Sequence, residues 1–170
     1  MKKLFSAFAV ALLLALSAIS PARSAALTDA AENAYGIDFL VRGQTYTPPS
    51  TGYIALFPTC PTDSTAGTEV TGGSYARVAV AATMANWAGT QGAGTTVASS
   101  GTSGTTSNNN AITFPTATAD WPGPINCFGY MTALSGGTLI FYAPLTAART
   151  ITNGSTASFP AGALTYQSDN

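Results

Sequence analysis

Few residues in this chain could carry out chemistry, because its 170 residues include no histidine. Catalysis by Ser-His-Asp or Cys-His groups is therefore excluded, as are metal sites that need imidazole. Acid–base catalysis would rest on carboxylates, and Asp63, Glu69 and Asp120 are the candidates for a glycosidase-like pair. Asp63 and Asp120 are better explained as turn residues beside prolines, and Glu69 has a candidate partner in Arg77. We predict no catalytic residue, metal ligand or cofactor site, and therefore no enzyme.

A hairpin around Gly72-Gly73 decides where Glu69 lies. Simple pairing places Glu69 opposite Ala76, on the apolar face of the next predicted strand. A glycine bulge at Gly72 or Gly73 shifts the register by one residue and brings Glu69 beside Arg77. We favour the bulge, because it replaces a buried, unpaired carboxylate with a structural ion pair between Glu69 and Arg77.

The chain has two cysteines, Cys60 and Cys127. In an exported protein an even pair predicts a disulfide. Closing a loop of about 68 residues would stabilise the fold by roughly 4 kcal/mol. The alternative is two separately buried thiols. A redox-active or metal-binding pair is disfavoured, because the chain has no CxxC spacing and no third soft ligand.

The two tryptophans are the candidates for contacts with a ligand or partner. Flat rings stack on the apolar faces of sugars, and Trp87 borders a polar tract while Trp121 lies in a proline-flanked turn. Aromatic residues at strand ends more often fill the core or contact other subunits. Both roles remain open for Trp87 and Trp121.

Residues 1–25 have the three-part form of a secretory signal. Lys2 and Lys3 form a positive start, the run from Leu4 to Ile19 is mostly apolar, and Pro21 precedes a stretch of small residues. Cleavage is compatible with three positions, after Ser24, Ala25 or Ala26. An uncleaved anchor helix is the alternative, although the apolar run is shorter than the roughly 20 residues that span a bilayer. We expect Sec-type export to the periplasm or the exterior.

Loss of this leader would remove half of the six basic residues and leave all seven carboxylates. A surface without lysine and with a negative net charge does not suit phosphate contacts, so we expect no nucleic-acid partner. Lysine-based covalent chemistry is excluded because no lysine would remain. We also expect no membrane association after cleavage.

One short α-helix is predicted near the start of the mature chain. Thr28 or Asp29 can cap its first turn, and Gly36 weakens its middle. Arg42 and Gly43 suit its C-terminal end. The predicted apolar stripe consists of Ala30, Ala34, Ile37, Leu40 and Val41.

Beyond Gly43 the pattern changes to short apolar segments separated by glycine-containing turns. The predicted strands are 53–57, 75–82, 111–114, 128–133, 138–143, 149–152, 156–159 and 163–166. About eight short strands at this spacing predict a mainly β fold, an antiparallel β-sandwich. We expect residues 26–170 to form this single domain.

Residues 89–110 contain no charge and consist mostly of Gly, Thr, Ser and Asn. Such a tract buries little apolar surface, which predicts a long mobile loop. The alternative is a binding loop held by a rigid sandwich.

The succession of motifs over roughly residues 27–165 resembles a family of small bacteriophage virion proteins, labelled tail fibre or minor tail proteins. The matching segments are Leu27, Glu32-Asn33, Leu40, Arg42-Gly43, Tyr46-Thr47-Pro48-Pro49, residues 53–57, 61–63, 67–70 and 72–78, 112–121, Phe128-Gly129, residues 136–139, Asn153-Gly154 and residues 159–164. The resemblance implies a mostly β structural virion component that assembles with copies of itself or with neighbouring tail or head proteins. It implies no active site.

We therefore predict a non-enzymatic structural protein that forms homo-oligomers or attaches to other virion or surface proteins. Its location would be the virion if a phage carries the gene. The alternative is a secreted carbohydrate- or surface-binding module. Such a module would use Trp87, Trp121 and the 89–110 loop, with cell-surface polysaccharide as its partner.

Overall fold

The computed structural model of the protein describes residues 17–18 and 26–168. The strands are, in chain order, β1 (Ser17–Ala18), β2 (Ala26–Leu27), β3 (Thr51–Phe57), β4 (Val78–Ala81), β5 (Thr105–Ser107), β6 (Ile112–Thr113), β7 (Ile125–Met131), β8 (Leu139–Arg149), β9 (Ala157–Phe159) and β10 (Thr165–Gln167). A three-residue α-helix, α1 (Asp29–Ala31), and a π-helical segment (Glu32–Phe39) lie between β2 and β3. The predicted leader, residues 1–25, lies outside the described residues except for β1.

Five strands form the largest sheet, in the order β2-β8-β7-β3-β4, and all its pairs are antiparallel. β9 pairs antiparallel with β6 and parallel with β1, while β10 pairs antiparallel with β5. The prediction of a mainly β, antiparallel fold with one short helical region is therefore confirmed.

Alternation along β3 divides the buried residues into two clusters. Ile54 and Leu56 enter the main core, which joins the large sheet to β6, β9 and the segments around them. Ala55 and Phe57 face the other side and pack with Cys127. The largest fully buried side chains include Phe114, Phe128, Phe159, Ile125, Ile151 and Leu164.

The helical region differs from the predicted amphipathic α-helix. Thr28 caps α1, because its Oγ1 accepts a hydrogen bond from the backbone N–H of Ala31 at 3.4 Å. From Glu32 the chain widens into a π-helix, in which a 3.6-residue apolar stripe no longer stays on one face. None of the residues Glu32–Phe39 is buried. Gly43, with φ 69°, follows in the left-handed conformation.

β8 replaces two separate predicted strands, because it continues through Pro144 to Arg149. Among the described residues, β2 pairs with Phe141 and Tyr142 of β8 and with none beyond them, so Pro144 lies at an edge of that part of the sheet, where proline is tolerated. A register shift opposite Ile125 and Cys127 accommodates the extra residues.

The tract 89–110 contains β5, which the sequence does not predict. Asn108 anchors the end of the tract and is 0% exposed. Its Nδ2 donates to the carbonyls of Asn110 and Pro160, each at 2.8 Å, and its Oδ1 accepts from the Leu164 N–H at 2.8 Å. Side-chain amides thus supply the order that apolar burial does not supply.

Candidate functional site

A cleft of about 470 Å³ is present among the described residues. It opens at the end of the large sheet where β7 and β8 meet the tract 89–110. Its volume falls within the range of about 300–1,000 Å³ that is typical of ligand sites. We call it the aromatic cleft. Its aromatic lining residues are Tyr46, Trp87, Tyr130, Phe141 and Tyr166.

The floor of the aromatic cleft is a row of rings from three strands. The rings of Tyr130 on β7 and Phe141 on β8 are stacked, with centroids 5.0 Å apart and planes at 15°. Tyr166 on β10 continues the row, with its centroid 4.4 Å from that of Phe141. Gly52 on β3 makes room for this arrangement, because a Cβ there would collide with the Tyr130 ring. The position of these rings therefore depends on strand register.

Trp87 forms one wall of the aromatic cleft and is partly buried. Its ring meets that of Tyr130 edge to face, with centroids 5.8 Å apart. Its backbone N–H donates to the Thr83 carbonyl at 3.0 Å, and a β-bridge joins it to Asn108. These contacts fix the indole against the sheet.

The tract 89–110 supplies another wall, with Val97, Ala98 and Ser99 lining the opening. The tract is held by its own polar groups: Gln91 Nε2 donates to the Ala98 carbonyl at 2.6 Å. Asn109 Nδ2 donates to the Thr95 carbonyl at 2.9 Å. The wall therefore has a defined hydrogen-bonded structure.

Among the described residues, no charged side chain lines the aromatic cleft. Burial raises the pKa of the Tyr130 and Tyr166 hydroxyls above the ordinary tyrosine value, with smaller contributions from Tyr46 and Tyr35 respectively. These tyrosines are therefore neutral at physiological pH. The chemistry on offer is apolar contact, ring stacking and a few neutral hydrogen bonds from Thr83, Ser99, Thr106 and the tyrosine hydroxyls.

An exposed helical element adjoins the aromatic cleft. We call residues 32–46 the arm. Its rings pack on one another: Tyr35 stacks on Phe39 at 5.8 Å, and both lie near Tyr46, at 5.9 and 6.2 Å. Tyr46 also lines the cleft, so the two surfaces are continuous. Five large apolar side chains of the arm are 41–75% exposed: Tyr35, Ile37, Phe39, Leu40 and Val41.

The second tryptophan of the sequence analysis lies elsewhere. Trp121 is 3% exposed and belongs to the main core. Its Nε1 donates to the Gly73 carbonyl at 3.0 Å, and its ring meets Tyr75 edge to face at 5.3 Å. Its burial leaves no surface for a ligand or partner contact.

The two predicted pairs, Cys60 with Cys127 and Glu69 with Arg77, are both in contact, and none of these residues lines the aromatic cleft. Cys60 and Cys127 form a disulfide, with Cα atoms 5.3 Å apart, beside the smaller apolar cluster. Arg77 Nη2 lies 2.7 Å from Glu69 Oε2. Gly72, Gly73 and Ser74, all with positive φ, turn the chain between the two charged residues.

The three candidate carboxylates have separate partners. Glu69 pairs with Arg77. Asp63 Oδ1 accepts from the Tyr142 hydroxyl at 2.8 Å, and Asp120 Oδ1 accepts from the Asn153 N–H at 2.7 Å. Within the described residues, no group of three or more Cys, Asp or Glu residues could hold a metal ion. In the same part of the chain, no helix has the length and apolar character needed to span a bilayer.

Sequence reasoning identified Trp87 but missed most of the aromatic cleft. Tyr130, Phe141 and Tyr166 come from three strands that are distant in sequence and meet through the sheet. Their only local signal is an aromatic side chain within a strand pattern, which equally indicates a core position.

Comparison with known proteins gives one family. A family model described as podophage GP4 fiber I protein gp80 matches residues 26–167. No curated protein matches the chain.

Proposed function

Because the chain belongs to the family of podophage GP4 fiber I protein gp80, we propose that it is a non-enzymatic structural component of a phage virion. It works by associating with copies of itself or with neighbouring virion proteins. The family match carries this proposal, since it spans residues 26–167 and so nearly all of the described chain.

The surface chemistry supports association. Only 8% of the residues are charged, and uncharged polar surface costs less to desolvate than ionised surface does. The arm adds several large apolar side chains that are largely exposed in the part of the chain the structure describes. Contiguous apolar patches of this kind are uncommon on monomers and mark interaction sites.

The partners of the carboxylates support a role without catalysis. Glu69, Asp63 and Asp120 each hold a structural contact, with Arg77, Tyr142 and the Asn153 N–H respectively. A glycosidase needs two carboxyl groups that face one substrate. These three lie on different segments, each held by a different partner.

The carbohydrate-binding alternative is not favoured. It relied on Trp87 and Trp121 together, and Trp121 is buried in the main core. Trp87 does line an open cleft, but the lining is mainly apolar and offers few of the polar groups that fix a sugar.

Export is a further part of the proposal. We propose that residues 1–25 are a leader and that the remainder is one β-sandwich domain. The Cys60–Cys127 disulfide supports passage through an oxidising compartment. Mass spectrometry of the secreted product, with and without reductant, measures both the new N-terminus and the bond. An intact leader on the secreted protein would contradict this part alone.

Analysis of purified particles tests the virion role. Particles produced by a host that carries the gene are purified on a density gradient, digested and analysed by mass spectrometry, and immunogold labelling locates the protein. We expect the protein in a constant ratio to the other structural proteins and labelling at one site. Complete particles that lack the protein, while it accumulates free, would refute the proposal.

A further inference from the structure

We propose that the arm of one copy docks into the aromatic cleft of a second copy, and that this contact is the self-association surface. The inference rests on the proposed function, since it names the partner and the contact through which a structural virion protein of this kind would assemble. It follows from four properties of the described residues.

The first property is that the arm leaves its large apolar side chains mostly uncovered by the described residues, apart from Tyr46 at the edge of the cleft. Its rings contact one another, and none of the residues Glu32–Phe39 is buried. Leu40 and Val41 are 61% and 75% exposed. A helical segment is usually stabilised by burying an apolar face rather than by its intrinsic propensity. Among the described residues, little surface therefore covers the apolar side chains of the arm from Tyr35 to Val41.

The second property is that the aromatic cleft is an apolar groove that can supply this surface. Its floor is the ring row of Tyr130, Phe141 and Tyr166, and its volume is about 470 Å³. Aliphatic side chains such as Ile37, Leu40 and Val41 suit such a floor. A helical segment with apolar anchors in a hydrophobic groove is a recurrent mode of recognition.

The third property is the match in charge. The arm carries three charged residues, and two of them neutralise each other, since Arg42 Nη1 lies 2.6 Å from Asp38 Oδ1. The lining of the aromatic cleft, as far as the structure describes the chain, contains no charged residue. Docking would therefore desolvate little unpaired charge, which is the condition for a net gain from apolar burial.

The fourth property is the area. The apolar side chains exposed on the arm and on the rim of the cleft are Tyr35, Ile37, Phe39, Leu40, Val41, Met84 and Val97, each 41–75% exposed. At roughly 60–120 Å² per fully exposed side chain, these fractions correspond to on the order of 350 Å² of apolar area, and only slightly more than half of a standard interface is apolar. A standard interface buries about 800 Å² on each partner.

Because the arm and the aromatic cleft adjoin at Tyr46, the proposed contact between two copies can be symmetric. If the arm of one copy enters the cleft of a second, the second arm can enter the first cleft by the same rotation. Such an isologous contact closes as a dimer and uses each surface twice.

The test compares the association of matched variants of the exported full chain by light scattering over a concentration series. The arm variant is Leu40→Ser with Val41→Ser, and the cleft variant is Val97→Asp. The control is Leu134→Ser, which is 58% exposed and does not line the cleft. We expect the arm and cleft variants to raise the dissociation constant about tenfold or more, and the control to leave it unchanged. Circular dichroism establishes that each variant is folded.

Cross-linking gives a second measurement. A photoreactive phenylalanine analogue replaces Leu40 in copies that carry no isotope label, and these are mixed with isotope-labelled wild-type copies. We expect intermolecular products with peptides that contain Met84, Trp87 or Val97. Products with other peptides only would overturn the inference, as would a wild-type protein that stays monomeric. Equal association of all variants would overturn it as well.

The failure of the inference and that of the proposed function remain distinguishable. Presence in purified particles with no effect of the arm variant would refute the docking contact alone. Absence from particles would refute the virion role, whatever the light scattering gives. Capture of a small apolar ligand by the aromatic cleft without dimerisation would also count against the docking contact.

Discussion

Arg77 donates two parallel hydrogen bonds to Glu69, from Nε to Oε1 at 2.8 Å and from Nη2 to Oε2 at 2.7 Å. The Arg77 side chain is 8% exposed and that of Glu69 is 24% exposed. Arg77 Nη1 also donates to the carbonyls of Ala133 and Gly136, at 2.6 and 2.7 Å, in the turn between β7 and β8. The hydrogen bond to Glu69 raises the pKa of Arg77. The Glu69–Arg77 pair therefore connects the turn between β7 and β8 to the turn at residues 72–74.

Glu69→Gln should lower the free energy of unfolding, because it leaves the nearly buried Arg77 cation without its anion. Removing one partner of a fully buried pair costs about 3–5 kcal/mol, and the partial exposure of Glu69 reduces our expectation to about 2–3 kcal/mol. Urea denaturation measures the change. Asp38→Asn, in the exposed pair with Arg42, is the matched control and should change stability by less than about 0.5 kcal/mol. Equal effects of the two substitutions would show that the Glu69–Arg77 pair contributes no more to stability than the exposed Asp38–Arg42 pair.

The stability of the protein should fall as the pH rises above about 10, the pKa of tyrosine in an unfolded chain. Tyr75 donates to Glu69 Oε1 at 2.9 Å and accepts from the Leu56 N–H at 3.0 Å. Burial raises the pKa of Tyr75 far above its ordinary value. Above this pH the folded state keeps a proton that the unfolded state loses. The free energy of unfolding therefore decreases as the pH increases.

Tyr75→Phe tests this cause, because it removes the proton in question. We expect the slope of stability against pH to become shallower above about pH 10, by up to roughly 1.4 kcal/mol per pH unit. A slope will remain, since burial also raises the pKa of Tyr142, to about 12, with a smaller contribution from its bond to Asp63. Urea denaturation from pH 8 upwards compares the two proteins. Parallel curves would rule out Tyr75 as the source.

Gly52→Ala should disturb the floor of the aromatic cleft. A Cβ at Gly52 would collide with the Tyr130 ring, so either the ring or β3 must move. Overpacking of this kind costs about 1–3 kcal/mol. Gly36→Ala is the control, because its Cβ would meet no atom within 4 Å, and alanine stabilises helical backbone by up to about 1 kcal/mol. Thermal unfolding measures both, and a harmless Gly52→Ala would show that the Tyr130 ring is loosely held.

The strands that the sequence predicts correctly are those whose local pattern decides their structure. Tyr53–Phe57 is an apolar run that ends at Pro58, and β3 ends at Phe57. β5 is different, because Thr105–Ser107 carries no apolar alternation. The position of β5 depends on its pairing with β10 and on Asn108. The side-chain amide of Asn108 forms hydrogen bonds with residues more than 50 positions away in the sequence. Such long-range polar contacts leave no periodic signal.

The aromatic cleft could be predicted only in part for a similar reason. Trp87 stands out in the sequence by its type and by its position next to a polar tract. Tyr130 and Phe141 become neighbours through the pairing of β7 with β8, which contains a register shift beside Met131. A shift of one residue would send these rings to the opposite face of the sheet. The cleft is thus a consequence of register, which a single sequence does not specify.

Removal of the disulfide should lower stability substantially. The Cys60–Cys127 bond closes a separation of 67 residues, for which the loss of unfolded-state entropy predicts about 4 kcal/mol. Cys60→Ala with Cys127→Ala avoids placing a hydroxyl at the buried Cys127 position. Urea denaturation with and without reductant measures the effect. Reductant should weaken the wild type to the level of the double variant and leave the variant unchanged; a wild type insensitive to complete reduction would contradict the expectation.

The two tryptophans should report opposite environments in fluorescence. In Trp121→Phe the remaining Trp87 lines the open aromatic cleft, so acrylamide should quench its emission readily. In Trp87→Phe the remaining Trp121 is buried in the main core and hydrogen-bonded to Gly73, so quenching should be several-fold weaker and the emission bluer. Equal quenching of the two variants would contradict the assignment of Trp121 to the core and of Trp87 to the cleft.

Trp87 also reports on occupation of the aromatic cleft. If the arm of a second copy enters, quenching of Trp87 in the Trp121→Phe protein should decrease as protein concentration rises, because the docked side chains exclude acrylamide. Adding Leu40→Ser and Val41→Ser should abolish that dependence, whereas Leu134→Ser should preserve it. Titrations of quencher at low and high protein concentration measure the effect. Quenching that is independent of concentration in a protein that does self-associate would place the contact outside the cleft.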